Sequence, residues 1–423
     1  MPNPLTLPRY MTRFRCIAER CEDSCCSGLK VPVSQAHAQR MHEALGEESK
    51  LTPNPGGSAT ESAFIQMRPD GGCPFLDTER LCSLQRRHGD ALLPDICATF
   101  PRVVTRWGER WEVAGTLACP EVARLCLLAE DSTQPESAPL PTLLIPRPNS
   151  ARDLARAPED AYAFHAETVR NALLRWLDRR ALPLASRLAL LGRFAHAVDD
   201  FYFQGTEAFR EDARAEAQAR LDEVLQHFDA EQTQEAIHQD FSELALPGGP
   251  CVGLFASLLK ARMTLRGERF QGLARGVLTS LRLDADTPED LDAAWRTYEA
   301  RWHHVADTHG ARLEQVFHNY ALHSVWRTPF TDSPSLLAYV FRLALRVGLL
   351  RLMLMGHPRL EALHREPFAP DAAESLDLAV VETFQLVARH VEQSPEFLTL
   401  AEGLVGTGRG AQTLGKVLVF AAF

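Results

Sequence analysis

Cysteine is the residue type in this chain whose number and spacing could do chemistry. Ten cysteines occur in 423 residues, and nine of them lie before residue 127. The nine are Cys16, Cys21, Cys25, Cys26, Cys73, Cys82, Cys97, Cys119 and Cys126, and Cys251 stands apart. The N-terminus has no apolar segment typical of a secretory signal, so we expect a reducing compartment, where disulfides are rare. Thiolate sulfur is a soft ligand suited to zinc and to iron–sulfur clusters, so the pattern predicts a metal site.

The spacing of the cysteines narrows the kind of metal site without deciding the metal. The first cluster, from Cys16 to Cys26, reads C-x4-C-x3-C-C, which lets several sulfurs converge at little cost in loop closure. The paired C-x2-C motifs of ordinary structural zinc sites are absent, and so is the C-x3-C-x2-C motif of radical enzymes. Adjacent Cys25 and Cys26 are expected to point in different directions, so they could serve different centres, or one of them could lie just outside the set of ligands. Iron and zinc both stay open.

The elements that must position these thiols are predicted to be short. A helix is capped by Ser34 at its start and by Gly46 at its end, and two further helices are expected over 79–88 and 90–98. The sequence VVTRWGERWEV predicts a β-hairpin with Gly108 first in a two-residue turn of type II′. A module with so little regular structure normally needs covalent or metal staples, and the cysteines are the obvious ones.

The rest of the chain has a different character. Residues 131–158 are rich in proline, which suits an extended linker, and residues 159–423 show apolar side chains at helical spacing almost throughout. A break near 246–250 could divide this helical domain into two lobes. The expected fold is therefore mainly α: an irregular cysteine-rich metal-binding module with a small β-hairpin over 1–130, a linker, and a multi-helix domain.

Charge and hydropathy exclude some classes of function. The formal net charge of −10 argues against a dedicated nucleic-acid binder, whose binding face would be basic. The most apolar stretch, 336–355, carries Arg342, Arg346 and Arg351, which fits a buried helix better than a membrane span. We expect a cytoplasmic protein with neither a membrane nor a nucleic-acid partner. The sequence gives no information on oligomeric state.

Three blocks, in order along the chain, carry a resemblance. They are YMTRFRCIAERCEDSCCSGLKVPV, CPFLDTERLCSLQRRHGDALLPDICATFPR and a later Cys-Pro pair. Together they resemble the bacterial flagellin lysine N-methylase family, and the cysteine region is also similar to a zinc- or iron-chelating cysteine-cluster domain. The likeness is strong over 10–120 and continues more weakly through 182–194 and 317–330.

The resemblance implies an S-adenosylmethionine-dependent methyltransferase that modifies lysine ε-amines of flagellin or another protein and contains a [4Fe-4S] cluster, with zinc as the alternative metal. Eight cysteines match the family's pattern: Cys16, Cys21, Cys25, Cys26, Cys73, Cys82, Cys97 and Cys119. One cluster needs four ligands, so either two metal centres exist or some thiols only line the site. We also expect that the donor's amino and carboxylate groups could chelate an open iron. The glycines of 403–410 fit a helix–helix turn better than a donor-binding loop.

Other polar residues of these blocks are weaker candidates. Tyr10, Asp77 and Tyr320 are candidates for catalysis, and Arg13, Arg102 and Asn319 are candidates for cofactor binding. Each also has a structural interpretation: Asp77 would cap the helix carrying Cys82, and the neighbours Asn319 and Tyr320 would join two helices by hydrogen bonds. The alternative function is an iron–sulfur or zinc cysteine-cluster protein that carries electrons, carries a cluster or docks a partner, without methylase activity.

Overall fold

The structure is a computed structural model of the chain. It describes residues 5–28, 30–107, 110–138, 151–153, 161–202, 214–263, 267–283, 287–364, 370–392, 394–406 and 410–423. The chain divides into two compact units. The first, here called the cysteine unit, contains 1–125 and 134–154, and the second, the helical unit, contains 126–133 and 155–423.

A five-stranded sheet organises part of the cysteine unit. Its strands are β1 (Leu5–Pro8), β5 (Arg102–Trp107), β6 (Arg110–Gly115), β7 (Pro135–Ala138) and β8 (Ala151–Asp153). Their order is β7-β1-β6-β5-β8, with β1 parallel to β6, β5 parallel to β8 and the other neighbours antiparallel. The predicted hairpin is confirmed as β5 and β6, in which Trp107 pairs with Arg110. Its turn residues, 108 and 109, lie outside the described residues.

The proline-rich segment predicted as a linker contributes two of these strands. β7 and β8 are the two edges of the sheet, where a strand needs hydrogen bonds on one side only and proline is tolerated. The sheet is therefore larger than the small hairpin that the sequence predicts. Residues 139–150 and 154–158 of the segment lie outside the part of the chain that the structure describes.

A second, three-stranded sheet packs near the first long helix. Its strands are β2 (Pro32–Val33), β3 (Leu51–Pro53) and β4 (Ala63–Ile65). They pair in the order β2-β4-β3, and both pairs are antiparallel. Helix α2 (Gln35–Leu45) begins after Ser34, whose side chain accepts a hydrogen bond from the amide of His37, and ends at Gly46 with φ of 56°. Both predicted caps are confirmed.

The other helices of the cysteine unit are short. They are α1 (Arg9–Arg13), α3 (Ser83–His88), α4 (Asp95–Thr99) and the start of α5 (Pro120–Leu128). The helix predicted over 79–88 begins only at Ser83, because Arg80 has a positive φ of 62° that a helix cannot contain. Cys82 is consequently the N-cap of α3 and does not lie within it.

The helical unit confirms the mainly α prediction. Its helices are α6 (Ala161–Leu177), α7 (Leu184–Tyr202), α8 (Arg214–Asp229), α9 (Glu231–Ser242), α10 (Gly248–Met263), α11 (Glu268–Ser280), α12 (Pro288–Arg327), α13 (Leu336–Met355), α14 (Ala372–His390), α15 (Pro395–Val405) and α16 (Ala411–Ala422). Helix α12 has two helical parts joined at a kink, where His309 has non-helical torsion angles. The glycines of 403–410 lie at the junction of α15 and α16, and 407–409 are not described.

Helix α13 is the centre of the helical unit. All of its side chains except Arg342 and Arg351 are buried, as a helix that is apolar on every face requires. Two side chains cap the start of α13. Ser335 accepts a hydrogen bond from the amide of Ala338, and Asp199 accepts one from the amide of Leu337 at 2.8 Å. The helix is buried in the protein, as predicted. Among the described residues, no helix is long and apolar enough to cross a membrane.

Candidate metal centre

The eight candidate metal-binding cysteines lie at the ends of short elements of the cysteine unit. Four are in the loop between α1 and β2, one precedes a turn at 73–76, and the others are at or near the starts of α3, α4 and α5. Cys73 and Cys119 are buried, Cys21, Cys26 and Cys82 are half-buried, and Cys16, Cys25 and Cys97 are exposed. All ten cysteines of the chain are described, and none of them forms a disulfide.

Three of these thiols form a group that we call the outer thiols: Cys16, Cys21 and Cys119. Burial raises the pKa of Cys21, and the neighbouring Cys16 and Cys25 raise it further. Burial also raises the pKa of Cys119 to about 12, against two backbone hydrogen bonds from Val122 and Glu121 that favour the thiolate. Those amides belong to the first turn of α5, whose N-terminal dipole favours negative charge on sulfur.

Four further thiols form a second group, the inner thiols: Cys25, Cys26, Cys73 and Cys82. The amide of Cys73 donates to the carbonyl of Cys26 at 2.8 Å, and Cys82 forms an isolated β-bridge with Leu76. Cys26 hydrogen-bonds to Cys25, and this contact, burial and the charges of Cys73 and Cys82 all raise the pKa of Cys26. Cys25 also acts on Cys21 and Cys119, so it is the thiol that both groups share.

The two groups contain seven of the eight predicted ligands, and each group has one buried thiol and one exposed thiol. Three of the inner thiols belong to or pack against a small apolar core that includes Val33 and Met41: Cys73 is buried in it, and Cys26 and Cys82 contact it. Among the described residues, no three Cys, His, Asp or Glu side chains are already arranged to hold a metal ion. The donor set nevertheless fits soft metals, because it consists of sulfur atoms with backbone N–H donors aimed at Cys73 and Cys119.

The remaining cysteines, Cys97, Cys126 and Cys251, belong to neither group. Cys97 is exposed on α4. Cys126 and Cys251 lie in the helical unit, where burial raises the pKa of both thiols, that of Cys251 to about 11. A buried thiol with a raised pKa is an inert packing group at neutral pH. We therefore interpret Cys126 and Cys251 as structural residues.

Asp77 lies in the turn between two inner thiols. Its Oδ1 accepts from the amides of Glu79 at 3.0 Å and Leu81 at 2.9 Å, and its Oδ2 accepts from Arg86 at 2.8 Å. These bonds lower the pKa of Asp77, the hydrogen bond from Leu81 contributing most. The Asp77 carboxylate therefore stabilises the loop that precedes α3. It does not cap α3 as we expected, because the N-cap of that helix is Cys82.

Tyr10, Arg13 and Arg102 occupy three different settings in the cysteine unit. Tyr10 is fully buried, and its hydroxyl accepts from the amide of Gly115 at 2.9 Å. Arg13 is exposed at the end of α1. Arg102 places its guanidinium 5.5 Å from the ring centroid of Phe14, and burial lowers its pKa.

The surroundings of Arg102 connect it with the outer thiols. Its pKa is lowered further by Arg15 and raised by the charges of Asp90 and then Cys16, so two guanidinium groups, a carboxylate and a thiol share this part of the unit. Arg15 itself donates to the carbonyl of Phe14 at 2.7 Å. The sequence did not single out Arg15, because an arginine next to a cysteine block has no spacing signature.

Asn319 and Tyr320 both have partners within the helical unit. Asn319 is buried and donates from Nδ2 to the carbonyls of Cys126, Leu127 and Ala129 at 2.8 to 3.2 Å. The Tyr320 hydroxyl donates to Glu392 at 2.6 Å. Asn319 thus satisfies the last carbonyls of α5, and Tyr320 joins α12 to the residues after α14, which are structural roles.

Glu392 and Arg346, which no sequence pattern marks as site residues, are the charged neighbours of Tyr320. The Glu392 carboxylate lies 3.9 Å from Arg346, and both side chains are buried. Burial and the Glu392 charge raise the pKa of Tyr320 well above its ordinary value. A cleft of about 400 Å³ lies elsewhere in the unit, lined by Arg193, His227 and Asp240 among others, and contains none of the predicted site residues.

Comparison with known proteins places the chain in a family. The family model for the FliB lysine N-methylase C-terminal domain matches residues 170–420. The Lysine-N-methylase of Salmonella typhimurium is 28% identical over 135 residues, which are 30% of this chain and 33% of that protein. The Lysine-N-methylase of Salmonella choleraesuis is 27% identical over 135 residues, with the same two shares. The flagellar biosynthetic protein FliU of Salmonella muenchen is 26% identical over 135 residues, which are 30% of this chain and 79% of that protein.

The matches therefore span about a third of the length of the two methylases. No solved structure matches the chain. The family model alone covers more than half of the 423 residues, and it lies in the helical part, away from the cysteine blocks that carried the resemblance. The resemblance is confirmed: the chain belongs to the FliB lysine N-methylase family.

Proposed function

We propose that this protein transfers methyl groups from S-adenosylmethionine to lysine ε-amines of a protein substrate, flagellin being the first candidate. The observation that carries the proposal is the match of residues 170–420 to the lysine N-methylase family model. Two of the matched relatives bear the name Lysine-N-methylase, and a third is named as a flagellar biosynthetic protein. The names support both the reaction type and the class of substrate.

In the proposed reaction one bond forms and one bond breaks. The lysine ammonium, with an ordinary pKa of about 10.4, first loses a proton to solvent or to a base. The nitrogen lone pair then forms a bond to the methyl carbon, the carbon–sulfur bond of the sulfonium breaks, and its electron pair stays on sulfur. The protein must therefore hold nitrogen, carbon and sulfur close to one line and favour the neutral amine.

We further propose that the outer thiols Cys16, Cys21 and Cys119 hold a [4Fe-4S] cluster. Three features support this assignment: sulfur ligands, the backbone amides that face Cys119, and the exposure of Cys16, which lets a protein substrate approach. When bound through three thiolates, such a cluster supplies one iron that can take up the amino and carboxylate groups of the donor. Zinc is the alternative metal at these thiols, since three protein ligands with one open position are typical of catalytic zinc sites.

We assign to Arg102 the binding of the donor's carboxylate group. Its guanidinium is half-buried, lies near Cys16 and is flanked by Arg15. A planar guanidinium in such a place binds a carboxylate well, because its N–H groups match the two oxygens and because little water competes. Arg102 would orient the methionine part of the donor next to the outer thiols.

The acidic character of the helical unit supports a lysine-bearing partner. Over 214–243 the chain carries eight carboxylates and two arginines. The carboxylates are exposed and belong to Glu216, Asp222, Glu223, Asp229, Glu231, Glu235, Asp240 and Glu243. A negative surface raises the rate at which a basic protein is encountered, and salt screens the effect.

The test combines methyl transfer with a spectrum. The protein, purified without oxygen, is incubated with flagellin and methyl-labelled S-adenosylmethionine, and label on lysine is measured by mass spectrometry. We expect labelled lysine with the parent protein and with Cys251→Ala, a buried thiol of the helical unit, and no label with Cys21→Ser. Arg102→Gln should keep the visible spectrum of the cluster and raise the KM for the donor about 10-fold, as the loss of one charged hydrogen bond predicts.

Two results would overturn the proposal. A protein with an intact cluster that transfers no label to flagellin or to other lysine-bearing proteins would exclude the methylase function and favour a cluster carrier. A visible spectrum unchanged by addition of the donor would exclude donor binding at an open iron, and methyl transfer would then have to rely on a donor site elsewhere.

A further inference from the structure

The cleft of the helical unit has both apolar and charged walls. It has a volume of about 400 Å³ and is lined by residues of α7, α8 and α9. Those of α9 follow one another at spacings of three and four positions, which places them on one face of the helix: Thr233, Ala236, Ile237 and Asp240. The ring of Phe228, near the end of α8, adds an aromatic wall. A cleft of this size suits a side chain or a small ligand.

The aromatic wall is held in place before any ligand binds. Phe228 is buried, and its ring contacts that of Phe194 edge-on, with 5.5 Å between the ring centroids. Gln234 donates from Nε2 to the carbonyl of Phe228 at 2.7 Å. Trp176 donates from Nε1 to Asp229 at 2.7 Å. These bonds fix the corner between α8 and α9, so the cleft needs little ordering when a ligand enters it.

One carboxylate of the cleft can accept hydrogen bonds from a ligand. Asp240 accepts from Arg193 at 3.1 Å, and Arg193 is its partner among the described residues. The side chain of Asp240 is 62% exposed, and a carboxylate has about four lone-pair positions. Further N–H groups can therefore reach Asp240. Arg193 is less suited to hold a separate anion, because Asp240 already balances its charge.

The helices that line the cleft are negatively charged. Helix α9 has the carboxylates of Glu231, Glu235 and Asp240 and contains neither lysine nor arginine. Over 214–243 the chain carries eight carboxylates and two arginines. An acidic peptide or a nucleic acid would be repelled from this surface, and a cationic group would be attracted to it.

A lysine side chain matches both kinds of wall. Its four-carbon stem is apolar and would pack against Phe228 and Ile237, while its ammonium group has three N–H donors for Asp240 and for water. Among protein side chains, lysine and arginine combine an apolar stem with a cation, and the proposed function concerns a lysine-bearing substrate. Charge and shape thus select the same class of ligand.

We propose that this cleft docks a lysine-bearing segment of the protein substrate, with the lysine ammonium on Asp240. The inference rests on the proposed function for the identity of the substrate, and it adds where this chain holds that substrate. Among the described residues that line the cleft there is neither a cysteine nor a residue assigned to the donor. The lysine held here is therefore a docking residue, and the methylated lysine lies elsewhere on the substrate.

The test measures binding of fluorescently labelled flagellin to the full chain, without donor, for two variants and two controls. Ala236→Arg fills the cleft with a cation, and Asp240→Asn removes its negative charge. Ala219→Arg is the control for the first, since Ala219 is exposed on α8 about 12 Å along the helix from His227 of the cleft. Glu299→Gln, on the exposed face of α12, is the control for the second. At about 0.15 M salt, charges more than about 8 Å apart are largely screened.

Binding should weaken in the cleft variants alone. We expect the Kd for flagellin to rise about 10-fold in Asp240→Asn and at least about 10-fold in Ala236→Arg. The controls should stay within about twofold of the parent. Acetylation of the flagellin lysines, which removes their charge, should abolish binding. An equal rise in Ala219→Arg and Ala236→Arg would show attraction by overall charge and overturn the proposal, and so would undiminished binding of acetylated flagellin.

Kinetics distinguish the failure of this proposal from the failure of the proposed function. In the methyl-transfer assay, Asp240→Asn should raise the KM for flagellin about 10-fold and leave kcat unchanged, as the loss of docking alone predicts. Flagellin that binds through the cleft and receives no methyl group would refute the proposed function while the docking site stands. Methyl transfer with the same KM in the parent and in Ala236→Arg would overturn the docking site and leave the proposed function intact.

Hydrogen exchange of the parent protein covers variants that fail to fold. Peptides over 227–240 should gain protection when flagellin is added. Unchanged protection of these peptides with flagellin bound, or no binding of flagellin to the parent, would overturn the docking site.

Discussion

The cysteine unit and the helical unit are stabilised by different means. In the helical unit, α13 is buried along almost its whole length, and its Arg351 guanidinium lies 3.7 Å from the ring centroid of Trp302. In the cysteine unit the elements are short, the core is small and contains sulfur, and many carbonyls and amides are satisfied in turns. One unit can rely on apolar burial, and the other has the composition of a module completed by metal.

Removal of metal should have the largest effect, and the two units should respond to it differently. Chelation under reducing conditions should abolish protection from hydrogen exchange over 63–98, since binding free energies of small zinc modules are on the order of 10 kcal/mol. Peptides from α7 and α13 should keep their protection. Hydrogen exchange followed by mass spectrometry measures the protection of both units. Unchanged protection of 63–98 without metal would show that the cysteine unit does not depend on metal for its stability.

Truncation of one side chain at the centre of α13 should have the next largest effect. Leu345 is completely buried, so Leu345→Ala should lower the free energy of unfolding of the helical unit by roughly 2–5 kcal/mol through a cavity. Thermal unfolding monitored by circular dichroism measures the loss. The exposed Leu378→Ala is the matched control and should change stability by less than about 0.5 kcal/mol.

Loss of a single buried hydrogen bond should cost less. Tyr320→Phe removes the donor that Glu392 accepts at 2.6 Å, and we expect roughly 1–3 kcal/mol lower stability. We assign Tyr320 a structural role. At a temperature well below unfolding, the Tyr320→Phe variant should therefore transfer methyl groups at the same rate as the parent protein. A variant of normal stability that transfers no methyl would instead show that Tyr320 takes part in catalysis.

The smallest predicted effect is on pH dependence. A hydrogen bond from His357, with Arg269 and Arg359 nearby, lowers the pKa of Glu382 from 4.5 to about 2. The contribution of this carboxylate to stability is therefore complete above pH 4.5 and is lost as pH falls toward 2. With solvent screening we expect on the order of 1 kcal/mol. Urea unfolding at several pH values measures it, and Glu382→Gln should flatten the profile; an equal slope in both proteins would refute the assignment.

The sequence predicts the helical unit better than the cysteine unit, for a physical reason. Helical periodicity is local, so α7, α13 and α14 follow from their apolar spacing, and Ser34 and Gly46 cap α2 as expected.

The sheet of the cysteine unit could not be predicted in the same way. β1 has four residues, and its partners β6 and β7 lie more than 100 positions away in the sequence, so no local pattern marks them. Likewise, the spacing of the cysteines predicts that they bind metal, but it does not show which of them belong to the outer thiols and which to the inner thiols. The division into outer and inner thiols depends on the bond between Cys73 N and Cys26 O and on the loop that returns Cys82.

The central claim is that the outer thiols and methyl transfer belong together, and one measurement tests it most directly. Flagellin is incubated with S-adenosylmethionine and either the parent protein or Cys21→Ser, and the mass of each lysine-containing peptide is recorded over time. We predict a mass increase of one methylene unit per transfer with the parent and none with Cys21→Ser. Equal methylation by both proteins would contradict the account, because Cys21 would then have no part in the reaction.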